Sequence, residues 1–210
     1  MKRLWVALAI LVVVLVIADL AARSIAQREA SAELRRRFDL TEAPAVEIGG
    51  FPFLLGVVKG ELPSVSLKAE AIEGGDSVVL SDLDVELRRV TFSLSKLLDG
   101  EMRSLRAASG DGTAALTSDS LNNALKAAGA GVEVTIKGGE ATVRARAIQG
   151  SARGTVKVSE QTLSVATADG FFSFDLHLPN FASGLTYESV ELVGDRAVFS
   201  VSLSDASFAK

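Results

Sequence analysis

Residues 132–145 read VEVTIKGGEATVRA, and this stretch contains the pattern that decides the fold. Apolar and polar side chains alternate on both sides of the pair Gly138-Gly139. A period of two is typical of a strand with one buried and one solvated face. Paired glycines accept the positive φ angles of a tight hairpin turn. The stretch therefore predicts two antiparallel strands joined by a hairpin.

The same alternation recurs over most of the chain from residue 44 onward. It is found in the stretches 46–48, 65–71, 83–87, 156–158, 163–165, 174–178, 190–192 and 199–203. Because each predicted strand has one apolar face, the pattern indicates an antiparallel sheet and not a parallel sheet covered on both sides. We interpret the pair Asp111-Gly112 as a turn within this sheet.

Helices are few in the predicted fold. Residues 120–128 place apolar side chains on one helical face, with capping residues at 117–119 before them and Gly129 after them. Two shorter helices are predicted at residues 54–59 and 93–98. We expect one α+β domain over residues 39–210, with about ten strands and one main helix.

A long apolar run lies near the N-terminus. Lys2 and Arg3 are followed by apolar residues from Leu4 to Ala18. As a helix this run is about 22 Å long, and continuing to Ala22 gives about 28 Å, close to the thickness of a bilayer core. The pattern predicts that residues 1–22 form a signal-anchor or a cleaved signal peptide, and we favour the anchor.

The next segment, residues 23–38, is predicted to be a basic juxtamembrane helix or linker. It contains five arginines, and its apolar residues recur every four positions from Ala22 to Phe38. It could rest on anionic headgroups or form a solvated linker helix. The arginines favour a cytoplasmic location by the positive-inside rule, whereas the form of residues 2–18 favours export. We expect export, to the cell envelope at the extracytoplasmic face of the plasma membrane.

Composition excludes several classes of function. The chain has no cysteine, one histidine and a net charge of −4, and residues 38–210 alone carry a net charge of −8. Disulfides, iron–sulfur clusters, cysteine-ligated zinc and multi-histidine metal sites are therefore excluded. The acidic charge argues against a nucleic-acid partner. We expect no cofactor and no metal.

The sequence offers two weak candidates for a catalytic site. His177 shares a predicted strand face with Ser173 and Asp175, but residues two apart on a strand are roughly 7 Å apart. A second predicted strand carries a row of three acidic residues, Asp82, Asp84 and Glu86. Such rows are more often solvated faces than cation sites or catalytic pairs. We therefore predict no catalytic residue and no enzyme activity.

The segment Gly49–Gly60 is unusually apolar for a loop between strands. Two glycines precede a Phe-Pro-Phe sequence, and a short apolar run follows and ends at Lys59-Gly60. This segment could plug the core, or it could line an apolar ligand cavity. Cations that could contact a lipid headgroup are Lys59, Arg88, Arg144 and Arg146.

The apolar segment and the strand that follows it resemble part of a known family. Part of the sequence resembles the opening signature of the LmeA family of actinobacterial cell-envelope phospholipid-binding proteins. This part consists of Ile48 to Leu54, the element Lys59–Leu62 and the strand that follows it. Residues 116–125 are similar to the family's segment that enters its helix. The resemblance implies a fold akin to the tubular lipid-binding (TULIP) domains, in which a long, curved, mostly antiparallel sheet wraps one main helix.

The resemblance implies a protein that binds phospholipid or a related acyl lipid and supports the assembly of envelope lipids or lipoglycans. The N-terminal segment would attach it to the membrane. We expect an apolar groove lined by Phe51, Pro52, Phe53, Leu54, Leu55, Val57, Val58, Leu121 and Leu125. Room for acyl chains, or close packing of the sheet on its helix, would come from Ala69, Ala71, Ala141, Ala145 and Ala147. The alternative is a non-catalytic adaptor whose own side chains close its core.

Overall fold

The computed structural model describes residues 2–38, 40–73, 78–93, 95, 105–145 and 151–207. These residues form three helices, α1 (Lys2–Arg37), α2 (Phe53–Lys59) and α3 (Ser118–Ala127). They also form eleven strands: β1 (Ala45–Ile48), β2 (Glu61–Glu73), β3 (Val79–Thr91), β4 (Arg106–Thr117), β5 (Val132–Lys137), β6 (Glu140–Ala145), β7 (Ser151–Ser159), β8 (Thr162–Thr167), β9 (Ser173–His177), β10 (Ser183–Val193) and β11 (Arg196–Ser207).

The strands form two antiparallel sheets. The six-stranded sheet has the order β1-β2-β3-β4-β11-β10, and the five-stranded sheet has the order β5-β6-β7-β8-β9. The predicted hairpin is confirmed, since β5 pairs with β6 and the two strands are joined by Gly138 and Gly139, both with positive φ. The fold is α+β, with antiparallel sheets that include a curled half-barrel and with a long apolar helix at the N-terminus, as predicted.

The register of the six-stranded sheet separates an apolar face from a polar one. Val65 lies opposite Leu87, and both lie in a row with Gly110 and Leu203. The next row contains Ser66, Glu86, Asp111 and Ser202. Side chains of neighbouring rows point to opposite faces of the sheet. The alternating apolar and polar residues of the sequence therefore lie on opposite faces.

The interpretation of Asp111-Gly112 as a turn is wrong. Strand β4 runs without a break from Arg106 to Thr117 and pairs with β3 and β11 through both residues. A Cβ atom on Gly112 would lie 2.8 Å from the Val85 side chain and 2.4 Å from the Asp84 carbonyl oxygen. The glycine therefore permits close packing within the sheet, which gives it a role unrelated to turn formation.

The first core lies between α3 and both sheets. Leu121, Ala124 and Leu125 of α3 are fully buried in it, together with Val134 and Phe199. The Thr117 hydroxyl accepts a hydrogen bond from the Ser120 amide and caps α3, as the sequence predicted. The Asn122 side chain exchanges two hydrogen bonds with the backbone of Val134, at 2.7 and 2.8 Å. These bonds fix the helix to β5.

The second core lies at the other end of the six-stranded sheet, where α1 and α2 pack. Phe53 of α2 is buried there with Ile48, Leu62 and Val90. Ala22 and Ala26 of α1 pack against the same cluster, in agreement with the predicted apolar stripe. Residues 4–15 of the same helix are exposed, although all of them are apolar. Helix α1 is thus continuous from an exposed apolar half to a half that packs on the sheet.

Some predictions fall outside the described residues. The helix predicted at residues 93–98 lies largely outside them. The same is true of Arg146, Ala147 and the side chain of Ala145.

Candidate functional site

Helix α2 forms where its sequence predicts a short helix. Pro52 precedes it in an extended conformation, and Gly60 ends it with φ 71°, in the left-handed region that favours glycine. A Cβ atom on Gly56 would lie 2.8 Å from the Glu61 carbonyl oxygen. The absence of a side chain at this position lets α2 lie directly on the start of β2.

The two faces of α2 differ in exposure. Phe53 is buried in the second core, and Val57 packs against that core. On the outer side the exposed apolar side chains, with 43% to 78% of their surface accessible, are Phe51, Leu54, Leu55 and Val58. We define these four residues as the α2 patch. A group of large exposed apolar side chains is typical of a surface that contacts a ligand, a membrane or a partner.

A cavity of about 270 Å³ opens between α2 and β2. Nine of its eleven lining residues are apolar or glycine, and Lys59 and Glu61 are the charged ones. Phe51, Pro52, Phe53 and Leu55 are among its lining residues. We refer to it as the α2 cavity. Its volume lies just below the range of about 300–1,000 Å³ for ligand pockets, so it can hold part of a lipid.

Asp19 of α1 fixes the position of α2. Its carboxylate oxygens accept hydrogen bonds from the amides of Phe53 and Leu54, at 2.9 and 2.8 Å, and only 4% of its surface is exposed. The first amides of a helix have no partner within the helix, and a carboxylate also complements the helix dipole. This role of Asp19 was not predicted from the sequence. The available signal was a carboxylate at the end of a 15-residue apolar run.

Two further grooves meet at Leu40 and Ala43. One, of about 590 Å³, lies against β2 and β3 and is lined in part by Ala69, Ala71 and Leu83. The other, of about 480 Å³, lies along α1, with Arg28, Ser31, Ala32, Arg35 and Arg36 in its lining.

Several cations near these grooves are engaged by other groups. Lys68 forms a 2.8 Å ion pair with Asp84, and this hydrogen-bonded contact raises the pKa of the lysine. Arg36 pairs with Glu33. The Arg35 side chain donates to the carbonyl oxygen of Leu40.

The structure brings together seven of the nine residues predicted to line a groove. These seven lie between Phe51 and Val58, in and around α2. Leu121 and Leu125 lie elsewhere, in the first core, and have no exposed surface. The α2 region and the α3 face are therefore separate features, and only the first offers surface to a ligand.

The carboxylates among the candidate catalytic residues are engaged in other contacts. Asp82 contacts Arg196, Asp84 pairs with Lys68, and Glu86 pairs with Arg88. The Asp175 carboxylate accepts a 2.6 Å hydrogen bond from the Ser164 hydroxyl on the neighbouring strand. His177 is exposed on β9. The acidic row is a solvated face with basic partners.

Residues 17–202 match the sequence pattern of a family described as LmeA-like phospholipid-binding. The chain belongs to the LmeA-like phospholipid-binding family. Comparisons with the curated proteins and with the solved structures found no match. The matched region of this LmeA-like chain begins two residues before Asp19 and contains α2, the α2 cavity and both sheets except the last five residues of β11. The match indicates phospholipid binding and no catalytic family.

The cations predicted to contact a headgroup differ in their surroundings in this LmeA-like fold. Lys59 is exposed and lines the α2 cavity. Arg88 forms ion pairs with Glu86 and Asp111, and Arg144 is exposed on β6 of the other sheet. Lys59 is therefore the predicted cation that lies beside the apolar residues of the predicted site.

Proposed function

We propose that this LmeA-like protein is anchored by α1 at the extracytoplasmic face of the plasma membrane, where it holds phospholipid acyl chains in the α2 cavity. In this role it supports the assembly of envelope lipids or lipoglycans. The observation that carries the proposal is the position of the cavity. An apolar opening with two charged lining residues, Lys59 and Glu61, lies beside the point where the exposed apolar helix meets the folded part of the chain.

The chemistry of the cavity suits one end of a lipid. Phe51, Phe53 and Leu55 provide apolar contacts, and each buried methylene contributes about 0.8 kcal/mol to binding. Lys59 provides an exposed ammonium group for the phosphate. Because the cavity holds only part of an acyl chain, we infer that the rest of the lipid lies over the exposed side chains of the α2 patch.

The contact between Asp19 and α2 supports retention of the N-terminal helix. Removal of residues 1–22 would leave the amides of Phe53 and Leu54 without the acceptors that they have in the structure. It would also remove Ala22 from the second core. A signal-anchor is consistent with both contacts, since it keeps Asp19 and Ala22 in the mature protein.

The test is native mass spectrometry of the full chain released from phospholipid nanodiscs, with extraction of any bound lipid. We expect phospholipid to remain bound. Leu55→Gln should reduce its retention, because Leu55 lines the α2 cavity. Val193→Gln is the matched control, since Val193 is an exposed apolar residue that neither lines that cavity nor belongs to the α2 patch.

The opposite result would support the adaptor function. A chain that emerges free of lipid and also binds none from added vesicles would refute the proposal. A chain that retains lipid equally in the wild type and in Leu55→Gln would refute the α2 cavity as the site. In that case the two grooves that meet at Leu40 and Ala43 would be the next region to test.

A further inference from the structure

We propose that the α2 patch inserts into the leaflet of the bilayer that lies nearest the folded part of the chain. The patch then forms a second membrane contact beside the spanning helix. The inference rests on the anchoring of α1 in the membrane, which is part of the proposed function, and goes beyond it by assigning a lipid surface to α2.

The first support is the arrangement of the patch. Leu54, Leu55 and Val58 lie at positions i, i+1 and i+4 of one helix, so they share a face. The opposite side of the helix, with Phe53, packs in the second core. Helix α2 is thus held by one face, and its exposed face is apolar, which is the form of an interfacial helix.

The second support is the depth in the bilayer at which α1 places Asp19. Fifteen apolar residues from Leu4 to Ala18 rise about 22 Å, and a bilayer core is about 30 Å thick. With Leu4 at the far edge of the hydrocarbon, Asp19 lies inside the near edge. Its hydrogen bonds then place the first turn of α2 at the boundary between acyl chains and headgroups. Interfacial helices lie at this depth, about 5–10 Å into the boundary.

The third support is the matching of polar groups at this boundary. A carboxylate and unpaired backbone amides are each unfavourable near hydrocarbon. Asp19 and the first amides of α2 satisfy one another, so neither needs water at that depth. At the other end of the helix, exposed Lys59 can extend its ammonium group to the headgroups.

The experiment uses the full chain in vesicles of phosphatidylcholine and phosphatidylglycerol. The chain has no cysteine, so nitroxide labels can be placed on the single variants Leu54→Cys and Val58→Cys. The control is Val193→Cys, also an exposed apolar site. It lies opposite Arg196 at the start of β11, roughly 23–33 Å along the strand from Leu203 and Ala206, which pack in the second core.

We expect the labels at residues 54 and 58 to be accessible to oxygen and shielded from a water-soluble nickel chelate, and the label at 193 to show the reverse. Leu54→Trp and Val58→Trp in a Trp5→Phe background, with brominated lipid as the quencher, provide a second readout of the same depth. Trp5 is the one native tryptophan. Water exposure of residues 54 and 58 by either method overturns the inference.

The outcome separates this inference from the proposed function. Labels in water on a chain that still retains phospholipid would overturn the insertion of α2 and leave lipid binding intact. Labels in the lipid phase on a chain that retains no phospholipid after release would support insertion and refute the α2 cavity as a binding site.

Discussion

Replacing Asp19 tests how α2 is held in place. Each of its two hydrogen bonds joins a carboxylate to a backbone amide, and the side chain is buried. A bond to a charged group contributes about 1.5–3 kcal/mol, and removal of a helix cap costs about 0.5–2 kcal/mol. Because both bonds act on the same short helix, we expect Asp19→Ala to weaken the docking of α2 by about 2–4 kcal/mol.

Hydrogen exchange at the amides of Phe53 and Leu54 measures this effect directly. These amides donate to Asp19. Loss of about 2–4 kcal/mol corresponds to exchange roughly 30- to 700-fold faster. Asp19→Asn keeps one acceptor oxygen and loses the charge, so its exchange rates should be intermediate. The full chain in nanodiscs is the sample, with the two amides resolved by fragment mass spectrometry.

Asp119→Ala is the matched control for this measurement. Asp119 is an exposed acidic residue in the first turn of α3, where Thr117 makes the capping bond. Its removal should leave exchange at Phe53 and Leu54 unchanged. Unchanged exchange at those amides in Asp19→Ala would refute the role that we assign to Asp19. Faster exchange throughout both cores would show general unfolding instead.

Three further predictions concern stability, measured on the full chain in detergent. Thr117→Ala removes the cap of α3 and should lower the free energy of unfolding by about 1 kcal/mol; an unchanged midpoint of chemical denaturation would contradict this. Leu125→Ala leaves a cavity in the first core and should cost about 2–5 kcal/mol by the same measurement, whereas Leu54→Ala, at an exposed site, should cost much less. Burial raises the pKa of Tyr187, the one tyrosine, above its usual 10.0, so its contribution to stability is complete below pH 10 and is lost as the pH rises further. Its ultraviolet titration should therefore coincide with alkaline unfolding, and titration at pH 10 in the folded protein would refute the assignment.

Local sequence patterns predicted much of the sheet and its turns. The alternation around Val134 and Val143 predicted one solvated and one buried face for these strands, and the structure has both. The turn at Gly138-Gly139 and the helix cap at Thr117 depend only on residues nearby in the sequence. Both can therefore be predicted without knowledge of the fold. The signature from Gly49 to Leu54 also led to the family.

Features that depend on contacts between distant segments could not be predicted in this way. An apolar helix face has the same sequence whether it lines a groove or fills a core, so Leu121 and Leu125 were assigned to the groove and lie in the first core. Gly112 suggested a turn because its packing partner, Val85, is 27 positions away. Asp19 binds amides 34 and 35 positions further along the chain.

Under the proposed function, the continuity of α1 limits how far the protein can carry a lipid. Residues 20–37 extend the helix by about 27 Å beyond Asp19, and Ala22 and Ala26 in that segment are packed on the sheet. Because α1 is packed on the folded part of the same chain, it cannot act as a flexible tether for a mobile carrier. Under the proposed function, lipid held at α2 therefore stays close to the membrane that contains α1. In that case, onward delivery would depend on an acceptor that approaches that surface, and the arrival of the acceptor would set the rate of transfer.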